Sequence, residues 1–231
     1  MEIQAPFFAF NPKSYFYGEQ LLALAKKADE LAEKYPYMTI FVTAPYADLA
    51  NIAKQTKHII VTAQHMDGME PGRGMGAVLP ESIAAAGAGA VFLNHAERPL
   101  QLTELVSAIK KAKKLEMKTI VCANSIEEAR SIALLKPDIL LCEPTELIGT
   151  GKTSDEDYIQ KTNQAIKEID SEIFILQAAG ISTPEDVYHT LQLGTDGTGC
   201  TSGITKAVSP EKTLGDMIEA VNQVYKESEG K

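Results

Sequence analysis

The residues with the most chemical potential in this chain stand where short apolar runs end. Residues 138–141 read as a buried strand that passes through Cys142 into a carboxylate, Glu143. Pro144 follows and, lacking an N–H, stops sheet pairing there. Gly149 and Gly151 flank one small residue, giving a loop that can hinge and whose N–H groups can approach an anion. The run 90–93 stops at Asn94-His95, with Glu97 just beyond, and the run 6–10 stops at Asn11-Pro12-Lys13. This set suits proton transfer next to a carbonyl. A carboxylate removes a carbon-bound proton, while a neutral imidazole and an ammonium stabilise the enediolate oxygens that develop. Singly, each has a plainer use: a solvated lysine, a hydrogen-bonded structural histidine, a Glu-Pro turn. Three strands ending independently in titratable groups favour the chemical reading.

Holding such groups together requires a rigid frame, and the hydrophobic periodicity supplies one. Strands are predicted at 6–10, 38–42, 59–63, 90–93, 118–123, 138–142, 173–176 and 197–201. Between them lie helices at 19–34, 47–55, 80–87, 102–115 and 126–135, the last capped by Ser125 with Glu128 in the capping-box position. Ser154, with Asp157, is expected to cap a helix to Ile169. Thr183-Pro184 opens another, ending at Gly194, and Ser209-Pro210 opens the last, to about Tyr225, with 226–231 expected to fray. Strict strand–helix alternation implies parallel strands with right-handed crossovers. Eight units in ~200–250 residues is the size of an α/β fold of one kind, a single (β/α)8 TIM barrel, here one domain over 1–231. An open doubly wound sheet would carry a glycine fingerprint after its first strand, where this chain has Asn-Pro-Lys.

In such a barrel all strand C-terminal ends meet on one rim. Asn11, Lys13, Gln64, Asn94, His95, Glu97, Glu143, Gln177 and Thr201-Ser202 are therefore expected to converge. Glycine turns at Gly149, Gly180 and Gly203 are placed to offer N–H groups to a phosphate. The four histidines are dispersed and share no metal-ligand motif. With 22 basic against 31 acidic residues the formal net charge is -9, which argues against nucleic acid or an anionic membrane as partner. No apolar run approaches a membrane span. Three scattered cysteines, Cys122, Cys142 and Cys200, and the lack of a secretory leader point to a cytoplasmic location.

The chain resembles the triosephosphate isomerase family, in its short archaeal-type form, over nearly its whole length. The resemblance rests on Asn11-Pro12-Lys13, on Asn94-His95-Ala96-Glu97-Arg98, and on the run from Glu143 to Gly151. It rests also on Ala179-Gly180-Ile181-Ser182 and on Thr201-Ser202-Gly203. It implies an aldose–ketose isomerase of glycolysis and gluconeogenesis that interconverts dihydroxyacetone phosphate and D-glyceraldehyde 3-phosphate. Glu143 would be the base, His95 the neutral electrophile and Lys13 the fixed positive charge. Asn11 would help bind substrate, and Ile148, Gly149, Gly180, Thr201 and Ser202 would hold the phosphate. No cofactor is implied, and a homodimer or homotetramer is. The chain departs from the family at Ala96, where a serine is usual, at Met75 for threonine, and at His65 for asparagine. It departs again at Ala178 for glycine, and in strand eight, where two glycines and two threonines interrupt an apolar run. These departures leave two other readings: a divergent isomerase of another small phosphorylated ketose or aldose, such as a tetrose phosphate, and a sugar-phosphate-binding barrel without turnover.

Overall fold

The computed structural model describes residues 2–144 and 155–229. Eight parallel strands close into a barrel in sequence order: β1 (Phe7–Phe10), β2 (Thr39–Ala44), β3 (Ile60–Ala63), β4 (Ala90–Leu93), β5 (Lys118–Ala123), β6 (Ile139–Cys142), β7 (Phe174–Gln177) and β8 (Gly197–Cys200). Closure comes from β1 pairing with β8, Phe7 opposite Gly197 through Phe10 opposite Cys200. The helices alternate with them: α1 (Gly18–Lys34), α2 (Tyr46–Gln55), α3 (Pro80–Ala85), α4 (Leu102–Lys114), α5 (Ile126–Ala133), α6 (Glu156–Lys167), α7 (Pro184–Gln192), the short α8 (Ser202–Thr205) and α9 (Pro210–Glu229). Among the described residues no helix is long and apolar enough to cross a membrane.

The strands read as continuous apolar runs because both of their faces are covered. Phe8, Phe10, Val91, Leu93 and Leu140 pack outward against the helices, while Phe7, Ala9, Phe92, Ile139 and Leu141 fill the barrel interior. The interior is closed by aromatic rings: Phe7 meets Phe41 at 5.7 Å and Phe174 at 6.1 Å between centroids, both edge-to-face. This packing explains the glycines of β8. A Cβ on Gly197 would sit 2.2 Å from the Phe7 ring, and one on Gly199 would sit 2.5 Å from the Ala9 carbonyl oxygen. The residues that weaken the strand in isolation are those that let β1 and Phe7 close against it. Gly197→Ala should therefore cost about 1–3 kcal/mol by overpacking, and Phe7→Leu in the same chain should return part of it. Denaturant melts of the single and double variants check this; a neutral Gly197→Ala would refute the account.

The boundaries of α6 and α9 differ from the sequence expectation. The α6 cap is Asp155, whose side chain accepts the Tyr158 N–H at 2.7 Å, so the helix begins at Glu156; Ser154 lies outside the described residues. The same helix stops at Lys167, and beyond it the Ile169 N–H takes a carbonyl only three residues back, that of Ile166. At the other end of the chain, α9 continues past Tyr225 to Glu229 instead of fraying at 226. Tyr225 stacks on Tyr37 at 4.0 Å, and the Tyr188 hydroxyl donates to Glu227 at 2.7 Å, so tertiary contacts hold the extra turn. Ser125 does cap α5, but the Glu128 carboxylate reaches one residue further back than a capping box requires, to the Asn124 N–H at 2.9 Å.

Candidate active site

Lys13 sits in the left-handed region, φ 49°, which non-glycine residues seldom occupy. Two hydrogen bonds hold it there. Its N–H donates to Asn11 Oδ1 at 2.9 Å, and its carbonyl accepts from Gln64 Nε2 at 2.7 Å. The strain is thus fixed by side chains from two strand ends, and it aims the ammonium across the rim. Lys13 Nζ meets Glu97 Oε1 at 2.6 Å.

His95 is set by a similar device. Asn94, at φ 58°, donates from Nδ2 to the Cys122 carbonyl at 3.0 Å and accepts the Leu100 N–H at 2.9 Å, so its side chain ties β5 to the approach to α4. The Arg98 N–H returns to the His95 carbonyl at 2.7 Å, closing a tight turn. Within that turn the Glu97 N–H donates to His95 Nδ1 at 3.1 Å. An Nδ1 that accepts carries no proton, so the neutral ring holds its proton on Nε2. Burial, and then the nearby Lys13 charge, keep the imidazole pKa below its ordinary value. The ring is a neutral donor.

Glu143 continues the β6 ladder through its N–H to the Ala123 carbonyl at 3.0 Å. Burial pushes its carboxyl pKa up; Lys13 opposes this, and Glu97 adds to it. A carboxylate so placed is a stronger base than one in water.

The three groups line one cavity of ≈ 170 Å³, together with Asn11, Gly180, Thr201 and Ser202. Ile148 and Gly149 lie outside the described residues. Gly180, φ 71°, turns the chain after β7; its carbonyl accepts the Ser182 hydroxyl at 2.9 Å. This turn packs against the β8 turn so closely that a Cβ on Gly203 would meet Ser182 at 2.8 Å. Cys200 joins them, its thiol donating to the Ile181 carbonyl at 3.1 Å, and burial pushes that thiol up to about 11. The cavity floor is made of Ala9, Phe92, Leu141, Leu176, Ala178 and Gly199.

Gln177, expected at the rim, is turned away. Strand alternation points its neighbour Leu176 into the barrel, so the Gln177 amide faces outward and bonds Asn163 of α6 at 3.3 Å. Gln64 serves Lys13 without lining that cavity. His65 is buried, its Nε2 3.1 Å from Asp67, which also accepts the Val78 N–H at 2.6 Å; it orders the loop after β3. Ala96 occupies the turn after His95, and Met75 is fully exposed, at 105%. Sequence reasoning put Glu97 on the rim without its two tasks, pairing Lys13 and fixing the His95 tautomer. It missed Tyr15 and Lys206, which also line the cavity. No motif marks either, although Lys206 follows Ser202 by about one helical turn.

Fold and site together define a (β/α)8-barrel isomerase. The family model described as Triosephosphate isomerase matches residues 6–221. Triosephosphate isomerase of Methanobacterium bryantii is 38% identical over 223 residues, covering 94% of this chain and 98% of that one. The Sulfurisphaera tokodaii enzyme is 36% identical, covering 94% and 95%. Among solved structures, triosephosphate isomerase from Bartonella henselae superposes with a TM-score of 0.75 over 96% of this chain and 99% of that one; at 15% identity it speaks for the fold alone. The chain belongs to the triosephosphate isomerase family, in its short archaeal-type form.

Proposed function

We propose that this protein interconverts dihydroxyacetone phosphate and D-glyceraldehyde 3-phosphate through an enediolate. Glu143 removes the proton from the carbon beside the carbonyl and returns it to the neighbouring carbon. His95, neutral, donates from Nε2 to the carbonyl oxygen as negative charge gathers there, and Lys13 offsets that charge. Asn11 orients the substrate, and Ile148, Gly149, Gly180, Thr201 and Ser202 hold its phosphate. The observation that carries the reading is the Glu97 N–H on His95 Nδ1, in a ring that shares one cavity with Glu143 and Lys13. It commits the histidine to donating a hydrogen bond without carrying charge. A coupled assay on dihydroxyacetone phosphate tests the proposal; a folded protein without turnover would reject it.

A second reading has its own support in the floor of small side chains at Ala9, Ala178 and Gly199. It assigns the same enediol chemistry to a four-carbon sugar phosphate. Running a tetrose phosphate beside the triose separates the two, since a wide preference for the triose removes this alternative.

The chain is read as one domain over 1–231, acting in the cytoplasm as a homodimer or homotetramer. Exposed Tyr15, Tyr17, Tyr46 and Met75 are among the large apolar side chains that association would cover. A groove lined by Tyr46, His65 and Arg98, adjoining Lys13 and His95, lies beside the catalytic set. A monomer mass by sedimentation equilibrium would exclude association. The three buried free thiols suit a reducing compartment.

A further inference from the structure

The cavity has a charge problem that the catalytic set does not solve. Lys13 is engaged by Glu97 at 2.6 Å, and Glu143 must be ionised to act as a base. His95 brings no charge. A phosphate dianion would therefore enter a site whose catalytic residues and their partner are together negative, in a chain of formal net charge -9. Lys206 lines the same cavity as Gly180, Thr201 and Ser202. Its backbone N–H closes α8 onto the Ser202 carbonyl at 3.0 Å, which fixes where the side chain begins. The residue is exposed, and among the described residues no carboxylate stands within ion-pair distance of its ammonium.

We infer that Lys206 is a phosphate-binding residue of this site, the cation that draws in and holds the dianion beside the Gly180 and Ser202 turns. The inference rests on the phosphorylated-substrate reading above. An unpaired ammonium at the mouth of a cleft attracts an anion at long range, an effect that salt weakens, and then makes a charge-assisted hydrogen bond. A lysine committed to a structural ion pair would do neither.

Two measurements test it. In the first, calorimetry follows binding of glycerol 3-phosphate, which carries the dianion but no carbonyl, to the wild-type protein and to Lys206→Ala. Affinity should fall about tenfold in the variant, and its dependence on salt should flatten; Lys206→Arg should keep most of it. In the second, the kcat/KM for glyceraldehyde 3-phosphate is divided by that for unphosphorylated glyceraldehyde. This ratio should drop by about tenfold in Lys206→Ala. Equal binding of glycerol 3-phosphate by the two proteins overturns the inference, as does an equal loss on both aldehydes, which would mark a structural role. If the wild-type protein binds glycerol 3-phosphate through Lys206 yet turns over no triose, the catalytic reading fails and this one stands.

Discussion

Glu143→Asp lowers kcat on dihydroxyacetone phosphate by about two orders of magnitude or more, with little change in KM. The carboxylate is anchored at the end of β6 by the Glu143 N–H to Ala123 carbonyl bond, so shortening the side chain withdraws it from the substrate carbon. A misplacement of about 1 Å costs on the order of 10²-fold in rate. Glu143→Gln removes the base altogether and loses a further factor, up to the ~10⁴ attributed to a positioned base. The same variant gains stability. Burial raises the Glu143 pKa in the folded state above its unfolded value, so ionising it costs the fold. The stability that the protonated acid contributes is present below the unfolded pKa and lost as pH rises through the folded one. Glu143→Gln should thus melt above the wild-type protein at neutral pH, and the difference should shrink as the pH is lowered through the folded pKa. The wild-type rate should fall on acidification with an apparent pKa above the ordinary carboxylate value. A variant that keeps activity, or that melts lower at neutral pH, contradicts both assignments.

Lys13→Met carries the second large effect, a loss of about 10²–10³ in kcat/KM, the size seen when one preorganised electrostatic group is removed. The methionine keeps most of the stem and the backbone bonds to Asn11 and Gln64. Glu97 is 61% exposed and is released into water, so the fold should survive. Glu97→Gln separates the parts of this arrangement. It takes away the ammonium's partner but leaves the backbone N–H that fixes His95 Nδ1, so its loss should be much smaller than that of Lys13→Met. The two variants should also move the acid limb of the rate profile in opposite directions. Lys13 holds the Glu143 pKa down and Glu97 holds it up, so Lys13→Met shifts the limb to higher pH and Glu97→Gln to lower pH. Shifts in the same direction would mean that these charges do not act on Glu143 as the geometry implies.

The sequence by itself determined the barrel. Apolar runs of strand length alternating with amphipathic helices leave few other ways to bury both faces of eight parallel strands, and local periodicity carries that information. It also placed Asn11, Lys13, His95 and Glu143 at strand ends that closure must bring together, and they line one cavity. Only the tertiary structure decided how those residues are tuned. The Glu97 N–H on His95 and the Glu97 carboxylate on Lys13 join positions whose meeting depends on φ of 49° at Lys13 and 58° at Asn94, which no spacing reveals. The glycines of β8 looked like weaknesses because their reason lies across the β1–β8 seam, in the Phe7 ring and the Ala9 carbonyl. Gln177 looked like a rim residue because a polar side chain at a strand end can face either way, and register sends it to Asn163. Lys206 was invisible for the same cause: an exposed lysine in a turn becomes part of a site only when the fold wraps that turn around a cavity.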